Sequence, residues 1–135
     1  MLHKLTGEFM IYGIGIDIIG IKRIKKIIRK HGEKFLNRIF TDNEIKESQK
    51  HRDPILYLGG RWAVKEAFSK SIGTGIGAKC SWKDVEILST SSGAPCCYSK
   101  GNAKTIIDDS GVSRIIISIS HERKHACAVV ILEKE

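Results

Sequence analysis

A few polar side chains in this sequence stand where burial or spacing demands a reason. Asp17 lies inside the apolar run MIYGIGIDII at residues 10–19, where a carboxylate must be paired, hydrogen-bonded or metal-bound to offset its desolvation. Its plainer role would be the N-cap of a helix opening near Ile21. Glu66 follows Lys65 and precedes Lys70 by four residues in RWAVKEAFSK. That spacing suits an exposed ion pair contributing about 0.3–0.5 kcal/mol. It equally suits an acid and a lysine serving one ligand. Two carboxylates from different elements, with a lysine and a glycine loop nearby, fit a magnesium–phosphate site, because magnesium takes one or two carboxylates and fills its shell with water and phosphate oxygens. The GTGIG stretch at 73–77 would cradle phosphate through successive amides, although a glycine C-cap leading into a loop has the same sequence. His121 ends the SIS run, a place more often structural than functional for a lone histidine.

The elements around these residues follow from periodicity. In residues 10–19, Ile14, Ile16 and Ile18 alternate on one face while Gly13, Gly15 and Asp17 share the other. This reads as a buried strand whose acid face leaves room for something to approach closely. Ile21, Ile24, Ile27 and Ile28 form a helical stripe over 20–31, with Arg23, Lys26 and Lys30 on another face and Gly32 as its end or interruption. Thr41 through Glu44 predicts an N-terminal cap and a short helix to about Lys50. From Leu58 to about Gly73 a third helix carries Ala63, Val64, Ala67, Phe68 and Ile72 on one side. Trp62, Glu66, Ser69, Lys70 and Gly73 lie on a neighbouring face. Residues 82–88 alternate as a strand, 91–95 read as a turn, and 102–110 suit a helix. The runs 114–120 and 125–133 flank a short polar link as a β-hairpin. Strands and amphipathic helices out of strict alternation define an α+β domain rich in antiparallel sheet with packed helices. Residues 1–9 are expected to form an extension outside a single domain spanning 10–135.

Composition narrows the classes. With 135 residues, 41% hydrophobic and 28% charged, the chain suits one globular core. Its apolar runs are too short to span a bilayer, and MLHKLTGEFM lacks a signal-peptide core, so a cytoplasmic setting is expected. Cys80, Cys96, Cys97 and Cys127 form no metal or redox spacing and read as free thiols. No Walker A, GxGxxG, GxSxG or HExxH motif is present. The net charge of +8 is concentrated: residues 22–38 hold eight Lys/Arg against one Glu. Such a block attracts an acidic partner, whether nucleic acid, membrane or protein.

Taken together, GIGIDIIGIKRI (13–24), RWAVKEAFSKSIGTGIG (61–77), WKDVEI (82–87), the Gly93–Pro95 turn and SISH (118–121) resemble, in order, bacterial holo-[acyl-carrier-protein] synthases. These are small trimeric enzymes with the 4'-phosphopantetheinyl transferase fold. The resemblance runs from about Met10 to Leu132. It implies Asp17 and Glu66 as magnesium ligands and Lys70 at the coenzyme A pyrophosphate. It places Arg61, Ser69, Gly73, Thr74 and Gly75 in the block that contacts coenzyme A, with His121 near the nucleotide end and Pro95 near the adenine. Arg23, Lys26 and Lys30 would dock the carrier protein, and the site would lie between neighbouring chains of a homotrimer.

The reaction so implied is phosphoryl transfer, mostly positioning and charge neutralisation. A carrier-protein serine, deprotonated through Glu66 or a bound water, attacks the β-phosphate of coenzyme A, and 3',5'-ADP leaves. Lys65 would support the pyrophosphate or lie solvated. Acyl carrier proteins are small and acidic, which gives the basic segment a purpose with neither nucleic acid nor membrane involved. The rivals are a basic nucleic-acid-binding module, which leaves Asp17, Glu66 and GTGIG unexplained, and a structural trimer without activity.

Overall fold

The computed structural model of the chain describes residues 8–135, so the first seven residues of the expected extension lie outside the described residues. The described chain is built from five strands and five α-helices. Strand β1 (Met10–Gly20) leads into α1 (Ile21–His31), which breaks at Gly32 before α2 (Glu33–Ile39) and α3 (Asp42–Ser48). The long α4 (Pro54–Ser71) follows, then β2 (Val85–Ser89), β3 (Pro95–Ser99), α5 (Gly101–Asp109), β4 (Val112–His121) and β5 (His125–Lys134). One antiparallel sheet has the order β1-β5-β4, and β2 and β3 form a separate antiparallel pair. The α+β class expected from the sequence is the class observed.

Local chemistry accounts for the boundaries. The capping box at Thr41 forms as expected: its hydroxyl accepts from the Glu44 amide while Glu44 accepts from the Thr41 amide. Helix α4 begins four residues before the Leu58 start expected from the sequence, because Asp53 accepts from the Leu56 amide at 3.1 Å and Pro54 occupies the first helical position. Helix α2 and strand β3 have no strong period of their own and were not expected.

The packing of β1 reverses one expectation. Ile14, Ile16 and Ile18 are 62, 67 and 68% exposed rather than buried. The buried side is the one carrying Gly13, Gly15 and Asp17, and what approaches it is the backbone of α4. A Cβ on Gly15 would run into the Ala67 carbonyl, and one on Gly13 into that of Ser71. Strand and helix thus meet main chain to main chain. Around this contact Val64, Ala67 and Phe68 of α4 pack with Phe40, Ile87, Val130 and Leu132 in the core. Each large side chain so buried contributes about 1.5–3 kcal/mol.

Candidate active site

The close approach of β1 and α4 brings Asp17, Glu66 and Lys70 together. The Lys70 ammonium donates to Asp17 Oδ1 at 3.0 Å and to the Ile16 carbonyl at 3.0 Å, tying the strand to the helix. Asp17 does not cap α1; that place falls to Gly20, whose helix start has no side-chain cap. Burial pushes the Glu66 carboxyl above its ordinary range, and the neighbouring Asp17 pushes it the same way. Lys70 and Arg23 pull it back. The Glu66 carboxylate takes no hydrogen bond among the described residues. Two carboxylates close enough to act on each other, one of them without a protein donor, are a set that could hold a hard divalent cation. The described residues hold no cluster of three or more metal-ligating acids, histidines or cysteines.

The other expected site residues are placed differently. Lys65, adjacent to Glu66, neither supports a phosphate nor lies in solvent. It is fully buried, paired with Glu44 Oε1 at 2.7 Å and donating to the carbonyls of Trp82 and Val85 at 3.0 and 2.7 Å. All three ammonium protons are thereby satisfied, and burial, opposed by Glu44, lowers its pKa. Ser69 is buried and its hydroxyl donates to the Glu66 carbonyl at 2.7 Å. At the end of α4, the Thr74 and Gly75 amides both return to the Ser69 carbonyl at 3.1 Å, and Gly73 N–H to Lys70 O at 3.0 Å. Gly73 and Gly75 have φ of 80° and 66°, which favours glycine. These three amides therefore close the helix terminus instead of cradling phosphate. Trp62, expected on Glu66's face, is buried against Phe35 and Trp82.

A second group forms around Arg61. Its guanidinium lies 3.6 Å above the Tyr57 ring and donates to the Ser89 hydroxyl at 3.2 Å. Tyr57 donates in turn to Glu47 at 2.7 Å. Ser89 is the register partner of Pro95, so Arg61 and Pro95 flank one patch. Burial lowers the Arg61 pKa, and its buried Nε finds no partner among the described residues. Glu66 lies five positions after Arg61, roughly 7.5 Å along the helix and about 140° around it. The patch thus looks away from Asp17 and Glu66 within one chain. His121 is exposed at the end of β4, beside a cleft of about 460 Å³ lined by Ile18, Ser120 and Cys127. Sequence reasoning missed Glu44, Glu47, Tyr57 and Ser89; of these only Glu44 carried a signal, its capping box.

Residues 13–130 match the 4'-phosphopantetheinyl transferase superfamily, and the chain belongs to it. The holo-[acyl-carrier-protein] synthase of Natranaerobius thermophilus is 44% identical over 91% of this chain and 98% of its own length. That of Halothermothrix orenii is 44% identical over 93% and 99%. Among solved structures, the Neisseria meningitidis synthase superposes with a TM-score of 0.86 at 38% identity, covering 93% of this chain and all of that one. The Helicobacter pylori synthase in complex with coenzyme A superposes at 0.79 and 34% identity, covering 88% and 98%.

Proposed function

We propose that this chain is a holo-[acyl-carrier-protein] synthase. It transfers the 4'-phosphopantetheine group of coenzyme A to a serine of apo acyl carrier protein and releases 3',5'-ADP. The observation that carries this reading is the meeting of Asp17, Glu66 and Lys70 at the β1–α4 contact, in a chain whose relatives over nearly its whole length are such synthases.

Asp17 and Glu66 would hold magnesium, which when bound neutralises charge on the pyrophosphate. Lys70 adds positive charge at the same group and keeps Asp17 oriented. The serine proton passes to Glu66 or a bound water. Arg61, Pro95 and His121 form the coenzyme A side of the reading, and Ser69, Gly73, Thr74 and Gly75 shape the turn beside it, the last three with their amides spent on the helix end. Two features support a homotrimer with the site shared between neighbours. The Arg61–Pro95 patch faces away from the acid pair within one chain. The outer sheet face also leaves Ile14, Ile16, Ile18 and Ile116 exposed, the kind of apolar patch a partner covers. Arg23, Lys26 and Lys30 are exposed on α1 for the acidic carrier protein. Free thiols at all four cysteines support a reducing, cytoplasmic setting. No helix among the described residues is long and apolar enough to cross a membrane.

The test is mass spectrometry of apo acyl carrier protein incubated with the chain, coenzyme A and magnesium. A mass gain equal to phosphopantetheine is expected, lost with EDTA and in Glu66→Ala. No gain with several carrier proteins would overturn the reading.

A further inference from the structure

Helix α1 has two basic flanks, and only one of them looks toward the acid pair. With Ile21 and Ile24 turned into the core, helical geometry sends Arg23 to one side and Lys22 and Lys25 to the other. Arg23 acts on Glu66. Lys22 and Lys25 instead line a cleft of about 580 Å³ whose opposite wall is the tip of the β4–β5 hairpin, bearing Arg123, Lys124 and His125.

The walls are fixed to each other by main chain. The Ile21 amide donates to the Lys124 carbonyl at 2.9 Å, and Gly20 pairs in register with His125. Among the described residues no acidic side chain lines the cleft, and the first turn of α1 has none. The nearby Glu122 is turned to the Lys124 amide and the His125 ring, at 2.9 and 3.0 Å. Four exposed Lys/Arg side chains are therefore held together without a protein counter-charge in the cleft, which favours an anionic occupant.

We propose that this cleft is a second docking lobe for the acidic carrier protein, in which carboxylates of the partner seat between Lys22, Lys25, Arg123 and Lys124. This rests on the reading of the chain as a carrier-protein-modifying enzyme. A helix with its side chains is about 10–12 Å across, wide enough for a partner helix lying over the start of α1 to reach the hairpin tip that the Ile21–Lys124 hydrogen bond holds against it. The hairpin thereby joins the partner surface, and its charges steer encounter.

The experiment compares wild type with Lys25→Glu/Arg123→Glu and with the neutral Lys25→Gln/Arg123→Gln. Thermal melts establish that all three are equally folded. Apo carrier protein is the varied substrate, and its binding is also titrated by fluorescence without turnover. In the charge-reversed variant the carrier-protein KM and Kd should rise about tenfold at low salt, the lower end of the steering range. The neutral variant should fall between, and the gap should close at high salt. The kcat and the KM for coenzyme A should stay at wild-type values. Unchanged carrier-protein binding would overturn the proposal. So would a parallel rise in the KM for coenzyme A, which would assign the cleft to the nucleotide. Loss of inorganic phosphate binding or of pelleting with anionic vesicles, with carrier-protein binding intact, would assign it to a small anion or a lipid surface instead. A wild-type chain that binds carrier protein through the cleft but does not modify it would sink the functional reading and leave the lobe standing. One that neither binds nor modifies it would sink both.

Discussion

Two lysines of one helix, Lys65 and Lys70, each meet a carboxylate, and the two pairs have opposite characters. Lys65 and Glu44 are both 0% exposed, and Glu44 also accepts from the Ile87 and Thr41 amides. Every polar atom there has a partner, so nothing is left to offer a ligand. The Lys70 and Asp17 side chains are 52 and 17% exposed, and beside them Glu66 has no protein donor among the described residues. A sealed pair organises the fold; an open pair with an underused neighbour can act on something brought to it. A third pair, Lys100 with Glu86, stands between them, its lysine exposed and its acid buried.

The sharpest way to break this comparison is Lys65→Met. Removing one partner strands Glu44 as an uncompensated buried charge, so unfolding free energy should fall by about 3–5 kcal/mol. Urea denaturation reads this directly, and a loss below about 1 kcal/mol would mean that the pair is not structural. Lys70→Ala should do the reverse. Stability should change by about 1 kcal/mol or less, as for exposed pairs, while kcat/KM for transfer should drop about 10²-fold, the range for losing one charge-stabilising donor. A large fall in Tm with activity per folded enzyme intact would exchange the two lysines' roles.

The smallest effect concerns Glu86. Burial alone would raise its pKa, but donation by the Thr41 hydroxyl and by Lys100 outweighs it and holds the carboxyl below its ordinary range. Because the folded value is the lower one, Glu86 contributes stability that is full above the unfolded carboxylate pKa of about 4.3. That contribution is lost as pH falls through the folded value. Glu86→Gln should therefore narrow the stability difference between pH 6 and pH 3 by on the order of 1 kcal/mol. An unchanged acid limb would show that the donors add nothing.

Much of this was readable from residue types alone. The alternation of β1, the Thr41 capping box, the β4–β5 hairpin and the shared face of Glu66 and Lys70 follow from period and spacing, whereas the pairing of Asp17 with them came only from the resemblance to the synthase family. The difference between Lys65 and Lys70 did not. Helix α4 is enclosed on most sides, with thirteen of its eighteen residues buried, and such a helix has no polar face to tell a solvated lysine from a sealed one. The exposure of Ile14, Ile16 and Ile18 was hidden for a related reason. An exposed apolar face reads in sequence like one that faces the core, and only the glycines opposite mark which side the protein's own helix occupies. The patch of Arg61, Tyr57, Glu47 and Ser89 depends on contacts between distant segments, and no local pattern announces those.

The glycine contact between β1 and α4 has one more consequence. Because Gly13 and Gly15 let two backbones touch, the gap between Asp17 and Glu66 is set as by a pair of calliper jaws, whose opening depends on main-chain thickness and not on side-chain volume. Substitutions that swell or shrink the core elsewhere can shift stability while leaving that opening nearly constant. A single methyl on either glycine would instead pry the jaws apart, and the two carboxylates with them.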